Sequence, residues 1–168
     1  MSAREVNAVR RGPADGEAVS LLGGLYRYRA TGDETANAYS LFEVQGPAGL
    51  ASPVHVHDHE AEAFYVVDGM VTIFVRDEQI RATRGSFALV PANVPHTFRL
   101  DSSEATLLLL ITPGNAGHEA LFREMGHPAD GLQSPAAVPD LAKLSEIAAR
   151  HGTRIVGPPP GQAGVGRS

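Results

Sequence analysis

From Val19 onward the apolar residues come in short runs separated by glycine, proline and acidic turn residues. The segment Ala38–Gln45, AYSLFEVQ, reads as a strand. Ala63–Val67, Met70–Arg76, Gln79–Thr83, Ser86–Val90, His96–Leu100 and Thr106–Thr112 read as further strands. Val19–Thr31 alternates less regularly, and Gly23-Gly24 marks a bend or bulge within it. Asp68-Gly69 and Asp77-Glu78 are turns between neighbouring strands. Short strands this closely spaced predict a mainly β sandwich or barrel. No repeat of about 20–50 residues is visible, so one barrel rather than two is expected.

The pattern changes after Pro113-Gly114. Asn115 is placed to cap a helix running to Met125, with Leu121, Phe122 and Met125 on one face and Gly126 as its stop. Pro139 reads as a first-turn proline of a second helix, whose apolar stripe is Leu141, Leu144, Ile147 and Ala148 and whose end is Gly152. The expected organisation is an N-terminal arm over 1–17, a barrel over 18–115, two helices packed on it within 116–156, and a disordered tail over 157–168.

Composition narrows the class. Apolar residues make up 43 % of the 168 and charged residues 20 %, as in ordinary globular domains. The net charge is −5 with no basic stripe, which argues against nucleic acid as a partner. There is no cysteine, so disulfide and thiolate chemistry are excluded. The opening MSAREVNAVRRGP lacks the apolar core of a signal peptide, and Leu107–Ile111 is too short to span a bilayer. No membrane association is expected, and the default location is the cytoplasm.

Chemistry concentrates in GLASPVHVHDHEAEAFYVVDG, 49–69. On a strand, residues i and i+2 lie on one face roughly 6–7 Å apart, so His55 and His57 can aim at one point. Glu62 follows after a gap long enough for the chain to turn back on a neighbouring strand. Two imidazoles and a carboxylate form an incomplete coordination sphere suited to Fe, Mn, Ni, Co, Cu or Zn. His96, in the β-prone stretch behind Pro91 and Pro95, supplies a fourth ligand. His59 lies in the turn before Glu62 and is expected to be solvated, as is Glu60. His118, His127 and His151 read as surface residues.

These residues carry a resemblance. Gly49, five residues, His55-x-His57, four residues, Glu62, six residues and Gly69 match the first cupin motif without a gap. Gly85, five residues, Pro91 and then His96 match most of the second, fifteen residues further on. Asn93 stands where the family usually has glycine, and Leu100 where it usually has asparagine. Together with LITPGN, LFREMG and HGTRIVGPPP, the chain resembles single-domain cupins of the quercetinase type. The resemblance implies a single double-stranded β-helix (jelly-roll) barrel with two C-terminal helices. It also implies one divalent first-row metal held by His55, His57, Glu62 and His96, with Glu62 as both ligand and general base.

Four protein ligands leave one or two positions for water, substrate or dioxygen. If Glu62 and His96 point inward, strand parity puts Phe64, Val66, Phe98 and Leu100 on the same side, with alternate residues of Leu107–Ile111 such as Leu109. Apolar walls of that kind suit a small aromatic or polyketide-like ligand. The expected function is a dioxygenase acting with O2 on a flavonol or another enolisable aromatic. A non-redox cyclase or isomerase, and a non-catalytic small-molecule-binding module, share the same metal sphere and stay open. Similar cupins are commonly homodimers through strand exchange, for which Leu21–Arg29 is the candidate segment.

Overall fold

The computed structural model describes residues 7–132 and 140–161. The first six residues of the arm, Pro139 with its proposed first-turn role, and the tail beyond 161 lie outside the described residues. The strands are β1 (Ala18–Leu21), β2 (Gly24–Ala30), β3 (Ser40–Pro47), β4 (Val54–His57), β5 (Ala61–Asp68) and β6 (Met70–Val75). They continue as β7 (Glu78–Thr83), β8 (Phe87–Val90), β9 (His96–Leu100), β10 (Glu104–Thr112), β11 (His127–Pro128) and β12 (Thr153–Gly157). Two helices, α1 (His118–Met125) and α2 (Leu141–Arg150), interrupt the last part of the chain.

The fold is mainly β, as expected. One sheet runs β11-β1-β2-β3-β10-β5-β8 and the other β12-β4-β9-β6-β7, and every pairing is antiparallel. Alternation along the strands builds the core between the sheets. In β3, Phe42 and Val44 are sealed while their neighbours are half-buried, and in β10 Leu107, Leu109 and Ile111 face the same interior. In β5 the parity is sharper: Phe64 and Val66 are 1 % exposed, whereas Tyr65 and Val67 reach 44 % and 37 %.

Register matters most at two points. β10 lies between β3 and β5, bringing Ile111 opposite Glu62. On the other sheet His55 pairs directly with His96, although 40 residues separate them. The substitution of Asn93 for glycine is accommodated because asparagine tolerates its left-handed φ of 65°. Its N–H donates to the His57 carbonyl at 2.8 Å and its side chain reaches the Asp58 carbonyl. Leu100, the other departure, is wholly buried.

The C-terminal third differs from the sequence-based expectation. α1 begins at His118 with Gly117 as its N-cap, not at Asn115. Asn115 is left-handed, and its amide is drawn to Asp33 and Asn37 instead. α2 is capped by Asp140, whose carboxylate accepts from the N–H groups of Ala142 and Lys143. Its buried stripe is Leu144, Ile147 and Ala148, while Leu141 sits in the first turn at 43 % exposure. After α2 the chain turns at Gly152 (φ 72°) into β12, an edge strand paired with β4 that the periodicity did not reveal.

The described part of the arm is clasped rather than free. Arg27 donates to the carbonyls of Ala14 and Gly16, and Arg29 to those of Gly12, Pro13 and Asp15. The Leu21–Arg29 segment lies inside the chain's own sheet, with β1 between β11 and β2. Among the described residues no helix is long and apolar enough to cross a membrane.

Candidate metal centre

The four predicted ligands meet. His55 and His57 come from β4, Glu62 from β5 and His96 from β9, and their ligand-type atoms all lie within 4.8 Å of one another. The imidazole rings of His55, His57 and His96 are 4.5–5.2 Å apart, centre to centre. Glu62 Oε2 is the common focus, 3.1 Å from Nε2 of His57, 2.9 Å from Nε2 of His96 and 3.7 Å from Nε2 of His55. All four side chains are buried or nearly so.

The outer ring nitrogens are tied down. Nδ1 of His55 lies 2.7 Å from the Pro53 carbonyl, Nδ1 of His96 lies 2.8 Å from the Val94 carbonyl, and Nδ1 of His57 lies 3.0 Å from the Thr153 hydroxyl. Nδ1–H donation to these oxygens selects the tautomer that leaves each Nε2 lone pair free for a cation. Electrostatics favour the same state. Burial, and after it the neighbouring His118, pushes His57 down to about 3. His55 is also lowered by burial. For Glu62 burial opposes ionisation, but the three surrounding histidines outweigh it and hold the carboxyl well below its ordinary value. Neutral imidazoles facing one carboxylate are the donor set of a divalent transition ion, so these residues fit the expected metal.

Above the cluster lies a cavity of about 60 Å³ that is open to solvent. Of the five residues expected to wall it, Phe98 and Leu109 do so. Phe64, Val66 and Leu100 fill the core instead. Val66 and Leu100 lie four residues beyond Glu62 and His96 along their strands, which carries them roughly 13 Å away from the metal end of the barrel. Phe64 packs its ring against His96 and Phe98, at 6.2 and 6.0 Å. More of the wall comes from elements whose role parity could not supply: Leu121, Phe122 and Met125 of α1, Ala148 of α2 and Ile155 of β12, with Leu21, Leu22 and Tyr26 from the β1–β2 segment.

Glu60 and His118 were expected in solvent, but they are 2 % and 4 % exposed. Glu60 Oε2 accepts from Nδ1 of His118 at 2.9 Å, and Glu60 Oε1 from the backbone N–H of His118 at 3.2 Å. Residues 58 apart satisfy each other here, and no local pattern signals that. His59 is exposed, as is His127, while His151 is partly buried beside Glu124.

Residues 40–112 match the family model described as "Cupin domain". A quercetin 2,3-dioxygenase of Bacillus subtilis is 33 % identical over 118 residues, 69 % of this chain and 34 % of that protein. A quercetin 2,3-dioxygenase of Aspergillus japonicus is 29 % identical over 135 residues, 76 % of this chain and 38 % of that protein. Among solved structures, an RmlC-like cupin from Shewanella frigidimarina superposes with a TM-score of 0.57 at 17 % identity, over 65 % of this chain and 94 % of that one. Both motifs converge on one point within this matched region, and residues 40–112 form a cupin domain. The matched stretches span only about a third of the length of these dioxygenases, both named as enzymes.

Proposed function

We propose that the chain is a mononuclear metal-dependent cupin enzyme that cleaves a flavonol-like, enolisable aromatic with dioxygen. The observation that carries this reading is the three-histidine, one-glutamate cluster, of which His55, His57 and Glu62 line a mainly apolar cavity. The sequence similarity to quercetin dioxygenases supports it. A divalent ion held by His55, His57, Glu62 and His96 would act as a Lewis acid towards the ligand's hydroxyl oxygen.

The protein's own contribution is orientation, exclusion of water and a proton acceptor. The shortest imidazole approaches all fall on Oε2 of Glu62. Oε1 has no hydrogen-bond partner, and since no buried polar side-chain atom among the described residues is left unpaired, it opens on the cavity. A carboxylate held ionised, with one oxygen free beside the metal position, is the natural acceptor of the substrate's hydroxyl proton. Phe98, Leu109, Leu121 and Phe122 then enclose the aromatic body away from water.

The test is an oxygen-electrode screen of flavonols with metal-reconstituted protein, run beside Glu62→Gln. The variant should keep part of its metal and lose nearly all turnover. Full turnover in the variant would remove Glu62 from the base role. Turnover of an aromatic substrate with no oxygen uptake would favour the non-redox cyclase or isomerase reading.

A further inference from the structure

The wall of the cavity holds few polar side chains outside the metal set. Ser52 is occupied by the Thr97 hydroxyl at 2.9 Å, and Thr153 by His57. Two polar groups of the wall outside the metal set have no protein partner among the described residues, the Tyr26 hydroxyl and the outer nitrogen of His118; of the two residues, only His118 is held by a carboxylate. It lines the cavity beside the metal ligands, its ring 4.4 Å from that of His57. Its Nδ1 is bound by Glu60, but its Nε2 has no protein partner. Because no buried polar side-chain atom among the described residues lacks a partner, Nε2 must reach the open space of the cavity.

The pair is also more than an anchor for α1. That helix is fixed independently by the next residue. Glu119 is buried and accepts from the N–H of Gly32 at 2.6 Å and from the Ser40 hydroxyl, and its carbonyl accepts from the Tyr28 hydroxyl at 2.8 Å. Phe122 adds edge-on contacts with Tyr26 and Phe42, both at 5.0 Å. A buried carboxylate spent on one imbedded imidazole, next to a helix already secured, holds that imidazole in one rotamer.

We propose that His118, oriented by Glu60, is a substrate-positioning residue of this cavity, its Nε2 hydrogen-bonding a polar oxygen of the aromatic ligand beside the metal. This rests on the reading of the site as one for flavonol-like aromatics. The interaction gives an otherwise apolar pocket a direction: the ligand's oxygen-bearing edge faces the metal position, and its apolar body lies against α1 and β12.

Two substitutions separate this role from a structural one. Asparagine places its amide near the position of imidazole Nδ1, so His118→Asn keeps a partner for Glu60 but loses the atom facing the cavity. Glutamine places its amide near the position of Nε2, so His118→Gln keeps the cavity-facing group. Quercetin is titrated into metal-free protein and followed by its absorbance, with circular dichroism as the check on folding. We expect His118→Asn to weaken quercetin binding about five- to tenfold, the loss of one hydrogen bond, and His118→Gln to recover most of it. The reverse order, with Asn near wild type and Gln impaired, would show a purely structural role and overturn the inference, as would unchanged binding in both variants. Failure of the wild-type protein to bind quercetin at all would overturn the flavonol reading and this inference together. Two metal equivalents per chain, falling to one in His118→Asn, would mean that His57, Glu60 and His118 hold a second ion, and would overturn it too.

Discussion

Thr153 Oγ1 stands 3.0 Å from Nδ1 of His57, so a strand formed after both helices supports a metal ligand near the start of the barrel. The corresponding partners of His55 and His96 are backbone carbonyls, which substitution cannot remove. Thr153 is the side chain that can be tested. Thr153→Val keeps the shape but leaves Nδ1 without an acceptor. We expect metal affinity to fall by about 10-fold or more, the usual scale for losing a ligand's outer hydrogen bond, with Thr153→Ser close to wild type. Competition against a chromogenic chelator with Zn²⁺ or Co²⁺ measures this. Equal affinity in the valine variant would mean that the hydroxyl does not orient His57.

Much of the centre was legible because its ligands follow local rules. His55 and His57 share a face by strand period, and Glu62 and His96 come with the turn glycines and prolines that set their strands. What the sequence concealed is pairing between distant segments. β12 has only five residues, TRIVG, and follows a helix, so alternation there carries little signal until β4 offers its edge. Glu60 and His118 looked like solvent residues because each is polar in a polar neighbourhood of sequence, and their burial is possible only because they satisfy one another. The pocket residues failed for a different reason. Parity says which side of a strand a residue faces, but not how far along the barrel it lies, and Val66 and Leu100 face inward at the wrong end.

Arg11 ties the arm to the β2–β3 connection. Its guanidinium bonds Glu34 through two nitrogens, at 2.6 and 3.1 Å, and the Arg29 carbonyl at 2.8 Å. Hydrogen bonding from Arg11 first, then from the N–H and hydroxyl of Thr31, lowers Glu34 to about 2. A carboxylate with a depressed folded pKa stabilises fully above its unfolded value near 4.5, and that contribution is lost as pH falls towards 2. The pair is partly solvated, so the effect is about 1 kcal/mol or less. Glu34→Gln should therefore lower the thermal midpoint at pH 7 by a few degrees, with the gap to wild type closing between roughly pH 4.5 and pH 2. A gap independent of pH would assign the loss to something other than the ionised pair.

Three motif glycines share one backbone conformation but not one environment. Gly49, Gly69 and Gly85 have φ of 86°, 82° and 86°, in the left-handed region where any side chain is strained. A methyl group on Gly49 or Gly85 would meet nothing within 4 Å. On Gly69, in the turn where the chain crosses from β5 in one sheet to β6 in the other rather than closing a hairpin, it would come 2.5 Å from Ser102 Oγ, 2.7 Å from the Glu104 carbonyl and 2.8 Å from the Ala105 methyl. The serine could swing aside, but the carbonyl belongs to β10, where Glu104 pairs with Pro47 of β3. Gly49→Ala and Gly85→Ala should then cost only the conformational strain, about 1–2 kcal/mol. Gly69→Ala should cost distinctly more, about 3 kcal/mol or above, because overpacking against fixed backbone adds to that strain. Urea unfolding of the three variants, compared at a common slope, reads the difference directly. Equal losses at all three positions would mean that the crossing turn yields to admit the methyl group, and that close packing under Gly69 is not what the motif requires there.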